Sequence, residues 1–270
     1  MGIAQDIIDD WDAALAALQW QLEAGVDVAF GDLPVNRYEA APPPEIPLPQ
    51  AAPLSAPQKP EVAPAAPIAP KVDPVGEARN AAAKAQNLDE LNAALEAFEH
   101  CSLKRGAKNT IFGQGNPAAR VMVIGEATTR EEDHEGVPFA AEAGLLLGRM
   151  FAAIGLSLES PDPLKAIYLA APLPWRPLGS LAPEIKEMMK PFLLRHISLA
   201  DPDFIVVMGN TGFEMLGGKG SVSRMRGQWF DVAGKPALAM LHPASHLARP
   251  ITKREAWADL QALKGRLDDR

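Results

Sequence analysis

This chain is short of cysteine, of long apolar runs and of any basic start. Cys101 is the single cysteine in 270 residues. An intramolecular disulfide is therefore excluded, and a cytoplasmic setting is the simplest reading. No apolar stretch approaches the roughly 20 residues that a bilayer-spanning helix needs. The first residues, MGIAQDIIDDWD, are acidic, unlike the positively charged opening of a secretory signal. The chain also lacks an overall positive charge: its formal net charge is −8. Taken alone, that argues against a nucleic-acid partner.

The charge is unevenly spread. Residues 1–100 hold 5 Lys/Arg against 16 Asp/Glu, whereas residues 101–270 hold 21 against 18. The acidity belongs to the N-terminal part, and the rest is weakly basic, which permits nucleic-acid binding without demanding it. Ile7, Ile8, Trp11, Leu15, Leu18 and Leu22 recur at helical spacing, so residues 1–39 read as an amphipathic helical segment. Residues 40–75 contain 12 of the 26 prolines and read as a disordered, polyproline-like linker. Residues 75–100 read as a short helix on Ala81, Leu88, Leu91, Leu95 and Phe98. The folded domain is expected to span 76–270.

Within that domain four short apolar runs recur: Arg120–Ile124, Ala166–Ala170, Phe204–Met208 and Ala237–Leu241. Amphipathic stretches at 141–155, 184–199 and 210–217 separate them, and a helix over 252–266 closes the chain. Strands alternating with helices predict an α/β fold, a three-layer α/β/α sandwich around a central, mostly parallel four-stranded sheet. Right-handed crossovers place all four strand C-termini along one edge, where open α/β sheets bind ligands. The residues that follow the strands are Gly125-Glu126-Ala127, Pro172-Leu173-Pro174-Trp175, Gly209-Asn210 and His242-Pro243-Ala244. One cleft thus collects a carboxylate, a tryptophan and a histidine.

The same segments carry a family resemblance. GEATTREEDHEGVPFAAEAG (Gly125–Gly144) is similar to the GEAPGxxEDxxGxPFxGxAG pattern of family 4 of the uracil-DNA glycosylase superfamily. YLAAPLPWRPLGSL, from Tyr168, resembles that family's YITNVVxWRPPGNR. MRGQW (Met225–Trp229) resembles LRGxW, and HPASHLARPITKREAWADLQ, from His242, resembles HPAYLLRxPxxKRxxWxDL. Each piece is weak alone; the ordered set covers nearly all of residues 98–267.

The resemblance implies a DNA repair glycosylase acting on DNA that contains uracil or a related damaged base. Such enzymes extrude the base into a tight pocket. It implies that Phe139 stacks the base, with Glu126, Ala127 and Ala171 completing the base-binding set. It makes Glu132 the water-positioning carboxylate beside Asp133, and His242 a donor to the departing base. Leu247 and Arg249 fall on the loop that enters the minor groove, with Arg226 meeting the DNA backbone. Each has a blander reading. Phe139 is also a core phenylalanine, Glu131-Glu132-Asp133 also a capping acidic run, and Arg226 also a structural ion pair. Trp175 and Arg176 pack behind the pocket. His246, Lys253 and Arg254 read equally as phosphate contacts or as surface.

The departures are as specific as the matches. Family 4 holds a [4Fe–4S] cluster on four cysteines. Here the four positions read Phe98, Cys101, Trp175 and a residue near Met189, so no cluster is expected and apolar packing is expected to fill its volume. Thr128-Thr129 replace Pro-Gly, where a glycine would allow positive φ. Ala141 replaces a second glycine, and Ala171 replaces the asparagine that reads the base edge. Three functions follow as expectations: a glycosylase working in the cytoplasm at the bacterial nucleoid; a degenerate, non-catalytic DNA-binding relative; or an adaptor whose first 75 residues recruit a protein partner. No membrane partner is expected.

Overall fold

The computed structural model describes residues 73–269, together with Leu15 and Gln19. The expected N-terminal helix and the proline-rich linker lie outside the described residues, apart from those two positions and the linker's last three. Two helices replace the single one expected over residues 75–100: α1 (Pro74–Lys84) and α2 (Leu88–Glu96). Asp73 caps α1 by accepting from Gly76 N, and Asn87 caps α2 by accepting from Glu90 N. The second cap restarts the helix after Ala85, whose extended backbone breaks the periodic run.

The remaining elements alternate: β1 (Gly113–Gly115), β2 (Val121–Ile124), α3 (Arg130–Glu135), α4 (Ala141–Ala152), β3 (Ile167–Ala170), α5 (Pro183–Ala200), β4 (Phe204–Met208), α6 (Asn210–Met215), α7 (Val222–Met225), β5 (Trp229–Val232), β6 (Lys235–Met240), α8 (Pro243–Ala248) and α9 (Lys253–Asp268). The sheet has six strands in the order β1-β3-β2-β4-β6-β5. Its inner four, β3-β2-β4-β6, are the four apolar runs and pair in parallel. The count of four is corrected by two edge strands, β1 and β5, which pair antiparallel.

Alternate residues of the inner strands serve opposite faces. Met122, Ile124, Tyr168, Ala170, Ile205 and Val207 pack with residues of α1, α2 and α5. Val121, Val123, Ile167, Leu169, Val206 and Leu238 pack with Leu147 and Phe151 of α4 and Leu260 and Leu263 of α9. Helices on both faces explain why these strands carry no polar alternation. In register, Ile124 pairs with Ala170 on one side and Val207 on the other, and Met208 pairs with Met240. Gly125, Ala171, Gly209 and Leu241 therefore leave the sheet along one edge.

Candidate active site at the sheet edge

The chain runs from β2 outward to β3, then crosses back to β4 on the other side of β2. This makes the β2–β4 gap a topological switch point, the usual ligand position in an open α/β sheet. Glu126, two residues past β2, closes that gap. Its Oε2 accepts from Asn210 N at 2.6 Å, and its Oε1 accepts from Thr211 N at 2.9 Å and Ala127 N at 3.0 Å. The carboxylate thus satisfies amides at the start of α6 that have no helical partner.

The loop that follows is pinned at both of its threonines. Thr128 donates from Oγ1 to Leu173 O at 2.6 Å. Thr129 caps α3 in a reciprocal capping box with Glu132. Neither threonine has positive φ; the backbone does not call for glycine at 128–129, contrary to the sequence reading. Glu132 spends both oxygens on backbone donors, Oε2 on Thr129 N and Oε1 on Phe139 N, each at 2.6 Å. Burial raises its pKa, against the pull of those two donors. Asp133 accepts from Lys108 N at 2.8 Å and Asn109 N at 3.1 Å through Oδ1. Glu132 and Asp133 therefore both work as backbone anchors.

What Glu132 anchors is Phe139. This residue has φ of 55°, as does Ala141. Left-handed backbone is costly for residues with a Cβ and clusters at functional sites. The ring that results is buried against Gly125, where a Cβ would come within 3.1 Å of it. Ala141 shows what its departure from glycine costs: the substitution Ala141→Gly is expected to stabilise the fold by about 1 kcal/mol, read as a higher urea midpoint at unchanged slope.

His242 arrives from the next strand but one. It caps α8, its Nδ1 accepting from Ala244 N at 3.2 Å. That bond fixes the tautomer: Nδ1 is bare and Nε2 carries the proton. Burial pulls its pKa down to about 4, the Glu126 carboxylate opposing and His246 adding to the fall. At neutral pH the imidazole is therefore uncharged and is a donor through Nε2. Its plane lies 12° from that of Phe139, with centroids 5.2 Å apart. At a stacking separation of about 3.5 Å this is an offset pair. Phe139 itself is 4% exposed.

Glu126, Phe139 and His242 thus converge, with Glu132 behind Phe139. Ala127 is half-buried beside Glu126, and Ala171, also half-buried, follows β3 next to Gly125. Ala171 offers only a methyl, its amide being spent on Phe112 O at 3.2 Å. Asp133 faces residues 108–109 instead of this group. Leu247 and Arg249 are exposed on and just after α8. Arg226 is held in an ion pair: Nη2 pairs with Asp259 Oδ1 at 2.5 Å and donates to Glu255 O at 3.0 Å. The buried Asp259 carboxylate needs that partner, which gives Arg226 a structural ion pair.

The positions matched to cluster ligands do not fit a thiolate-held cluster. Phe98, Cys101, Trp175 and Met189 lie in one buried apolar cluster. Phe98 meets Phe192 edge-on at 5.4 Å, and Trp175 donates from Nε1 to Thr110 Oγ1 at 3.1 Å. Burial pushes the Cys101 thiol above its ordinary pKa. Among the described residues no group of three or more His, Cys, Asp and Glu side chains is placed to hold a metal ion. Sequence reasoning missed a buried polar pair nearby, His196 and Tyr168. His196 stacks flat on Phe112 at 4.1 Å and meets the Tyr168 hydroxyl at 2.9 Å. Burial pulls the pKa of His196 down to about 3. A histidine within the apolar stripe of α5 was the one available signal.

Comparison with known proteins gives a consistent result. Residues 112–261 match the family described as the uracil DNA glycosylase superfamily. The chain is 30% identical over 189 residues to the type-4 uracil-DNA glycosylase of Archaeoglobus fulgidus, covering 66% of this chain and 92% of that protein. It is 30% identical over 196 residues to that of Saccharolobus solfataricus, covering 68% and 88%. It is 32% identical over 154 residues to that of Thermotoga maritima, covering 55% and 77%.

Proposed function

This chain belongs to the uracil DNA glycosylase superfamily, and on that premise we propose that it is a DNA repair glycosylase hydrolysing the N-glycosidic bond of uracil or a related damaged base. The observation that carries the reading is the offset pair of Phe139 and a neutral His242 at the switch point. An extruded base stacks on Phe139. Its in-plane carbonyl then meets the Nε2–H of His242, the direction in which a carbonyl accepts best. As the bond to the sugar breaks, its electron pair passes to the base, and the negative charge reaches that carbonyl. A fixed donor there stabilises the transition state more than the ground state. Water forms the new bond to C1′, its proton leaves to solvent, and the base anion is protonated from solvent.

Glu126 and Ala127 shape the pocket floor, and Glu132 is a positioning residue that holds Phe139. Asp133 is assigned to the 108–109 loop. Leu247 and Arg249 contact DNA. The residues at 98, 101, 175 and 189 support a protein that works without an iron–sulfur cluster. Residues 1–75 serve as an acidic tether able to recruit a partner. No helix among the described residues is long and apolar enough to cross a membrane, and the nucleoid is the setting this chemistry requires.

The test is incubation of the purified protein with a uracil-containing single-stranded oligonucleotide, followed by alkali. Strand scission at the uracil is expected; intact strands at high protein would sink the proposal. Base choice rests on Ala171, which reads nothing on the base edge. Ala171→Asn is expected to raise the preference for uracil over cytosine by about tenfold or more, since a hydrogen-bonding site rejects mismatched edges. Competition between the two substrates reads that ratio.

A further inference from the structure

The side chain of Ala171 is only a methyl, so on its side of the pocket a base is selected by size and not by hydrogen bonds. Selection by size needs a wall that does not move. That wall is the segment 171–175 after β3, and space lies behind it. Ala171, Pro172 and Pro174 share a cavity of about 20 Å³ with Phe112, Phe192 and His196.

Three bonds tie the segment to residues 110–112. Ala171 N donates to Phe112 O at 3.2 Å, Ile111 N donates to Pro174 O at 2.8 Å, and Trp175 Nε1 donates to Thr110 Oγ1 at 3.1 Å. The first carries the β1–β3 pairing one step past Gly113 and Ala170. These bonds transmit the position of 110–112 and do not set it. The strand that follows, Gly113–Gly115, has no apolar side chain to seat it.

The seat is Phe112. It is half-buried, and its ring lies flat on the imidazole of His196, with 4.1 Å between centroids and 5° between planes. His196 is 3% exposed and is itself oriented, its Nε2 lying 2.9 Å from the Tyr168 hydroxyl. Tyr168 stands on β3, just before Ala171. The contacts therefore close a ring: from β3 to His196 of α5, on to Phe112, and back to the end of β3. A leucine at 196 would fill the core without burying a polar ring. It would not fix the plane on which Phe112 lies, because it cannot bond to Tyr168. Burial keeps the imidazole uncharged at neutral pH, so a neutral substitution there alters shape and bonding and leaves the charge alone.

We propose that Phe112 and His196 are positioning residues that set the width of the base pocket at Ala171, and so limit by size which bases enter. The inference rests on the glycosylase reading and adds to it the determinant of base size.

Single-turnover excision is measured with the full chain on two single strands that differ only in carrying uracil or hypoxanthine. Both bases present a carbonyl beside an N–H, and hypoxanthine is the larger, a fused two-ring purine. The pair thus separates size from edge chemistry. Phe112→Ala and His196→Leu are each expected to raise the hypoxanthine-to-uracil rate ratio by about tenfold, the scale on which an apolar pocket discriminates by size. Phe112→Tyr keeps the flat ring, and His196→Gln keeps a planar group able to bond to Tyr168; both are expected to keep most of the wild-type discrimination. A general loss of stability lowers both rates together and leaves the ratio unchanged. An unchanged ratio in Phe112→Ala and His196→Leu overturns the proposal, as does an equal rise in the two conservative variants. Should His196→Leu fail to fold, Phe112→Ala, at the half-buried position, decides alone. Wild-type protein that excises neither base overturns the glycosylase reading and this inference with it, whereas an active wild type whose ratio does not respond overturns this inference only.

Discussion

Replacing His242 by Ala is expected to lower the single-turnover rate of base excision by about 10²- to 10³-fold, the usual consequence of removing one donor to a developing oxyanion. The substitution removes Nε2–H and leaves the Phe139 surface in place. Substrate affinity should therefore change far less than the rate, because the lost interaction is made mainly in the transition state. The pH profile of the wild type is the companion result. Burial holds His242 near pKa 4, well below the ordinary histidine value of about 6.5. The form required is the neutral one. Its population is full at neutral pH and falls only as pH drops through about 4. Excision should therefore be flat from pH 8 to about pH 5 and decline below that, with circular dichroism at each pH reporting that the fold persists. An acid limb near 6.5 would show an exposed imidazole and a different role.

Gly144→Ala is expected to cost about 3 kcal/mol or more, the size associated with forcing atoms into a filled space. The left-handed residues Phe139 and Ala141 turn the chain so that the Phe139 carbonyl leans over the first turns of α4. A Cβ at Gly144 would fall well inside contact distance of that carbonyl oxygen. Backbone atoms cannot rotate away as a flexible side chain can. The loop must shift, and Phe139 loses its seat against Gly125. Urea unfolding should show the lost stability, and excision should fall beyond what the unfolded fraction explains. Ala141→Gly, three residues away, is the opposite-signed control. A Gly144→Ala protein as stable and as active as the wild type would show that the Phe139 turn does not have this geometry.

The four parallel strands could be read in advance because both of their faces are buried. Runs such as Phe204–Met208 are then continuous and β-branched or aromatic in part, bounded by polar residues. The edge strands could not. Gly113–Gly115 carries no apolar residue at all, and Trp229–Val232 is mostly half-exposed. Pairing at an edge is made by backbone bonds, which leave little trace in composition. Helices of four to six residues, such as Arg130–Glu135 and Val222–Met225, are too short for a 3.6-residue period to register. At the site, the positions of Glu126 and His242 followed from the strand ends, whereas Phe139 was named through the family resemblance alone. The use of each carboxylate did not follow. Whether Glu132 holds a water or the Phe139 amide depends on where a loop turns back, and two residues with positive φ decide that. The Arg226–Asp259 pair joins residues 33 apart in sequence, beyond any local pattern. The burial of His246 was hidden for a different reason: a buried histidine and a surface one look alike in sequence.

The most direct test is to measure free uracil by mass spectrometry after a single turnover on a uracil-containing single strand, with iron quantified in the same sample. The apolar packing of Phe98, Trp175 and Met189 and the neutral His242 together predict stoichiometric uracil release by protein that carries no iron. Absence of free base, or release that scales with bound iron, would contradict the account.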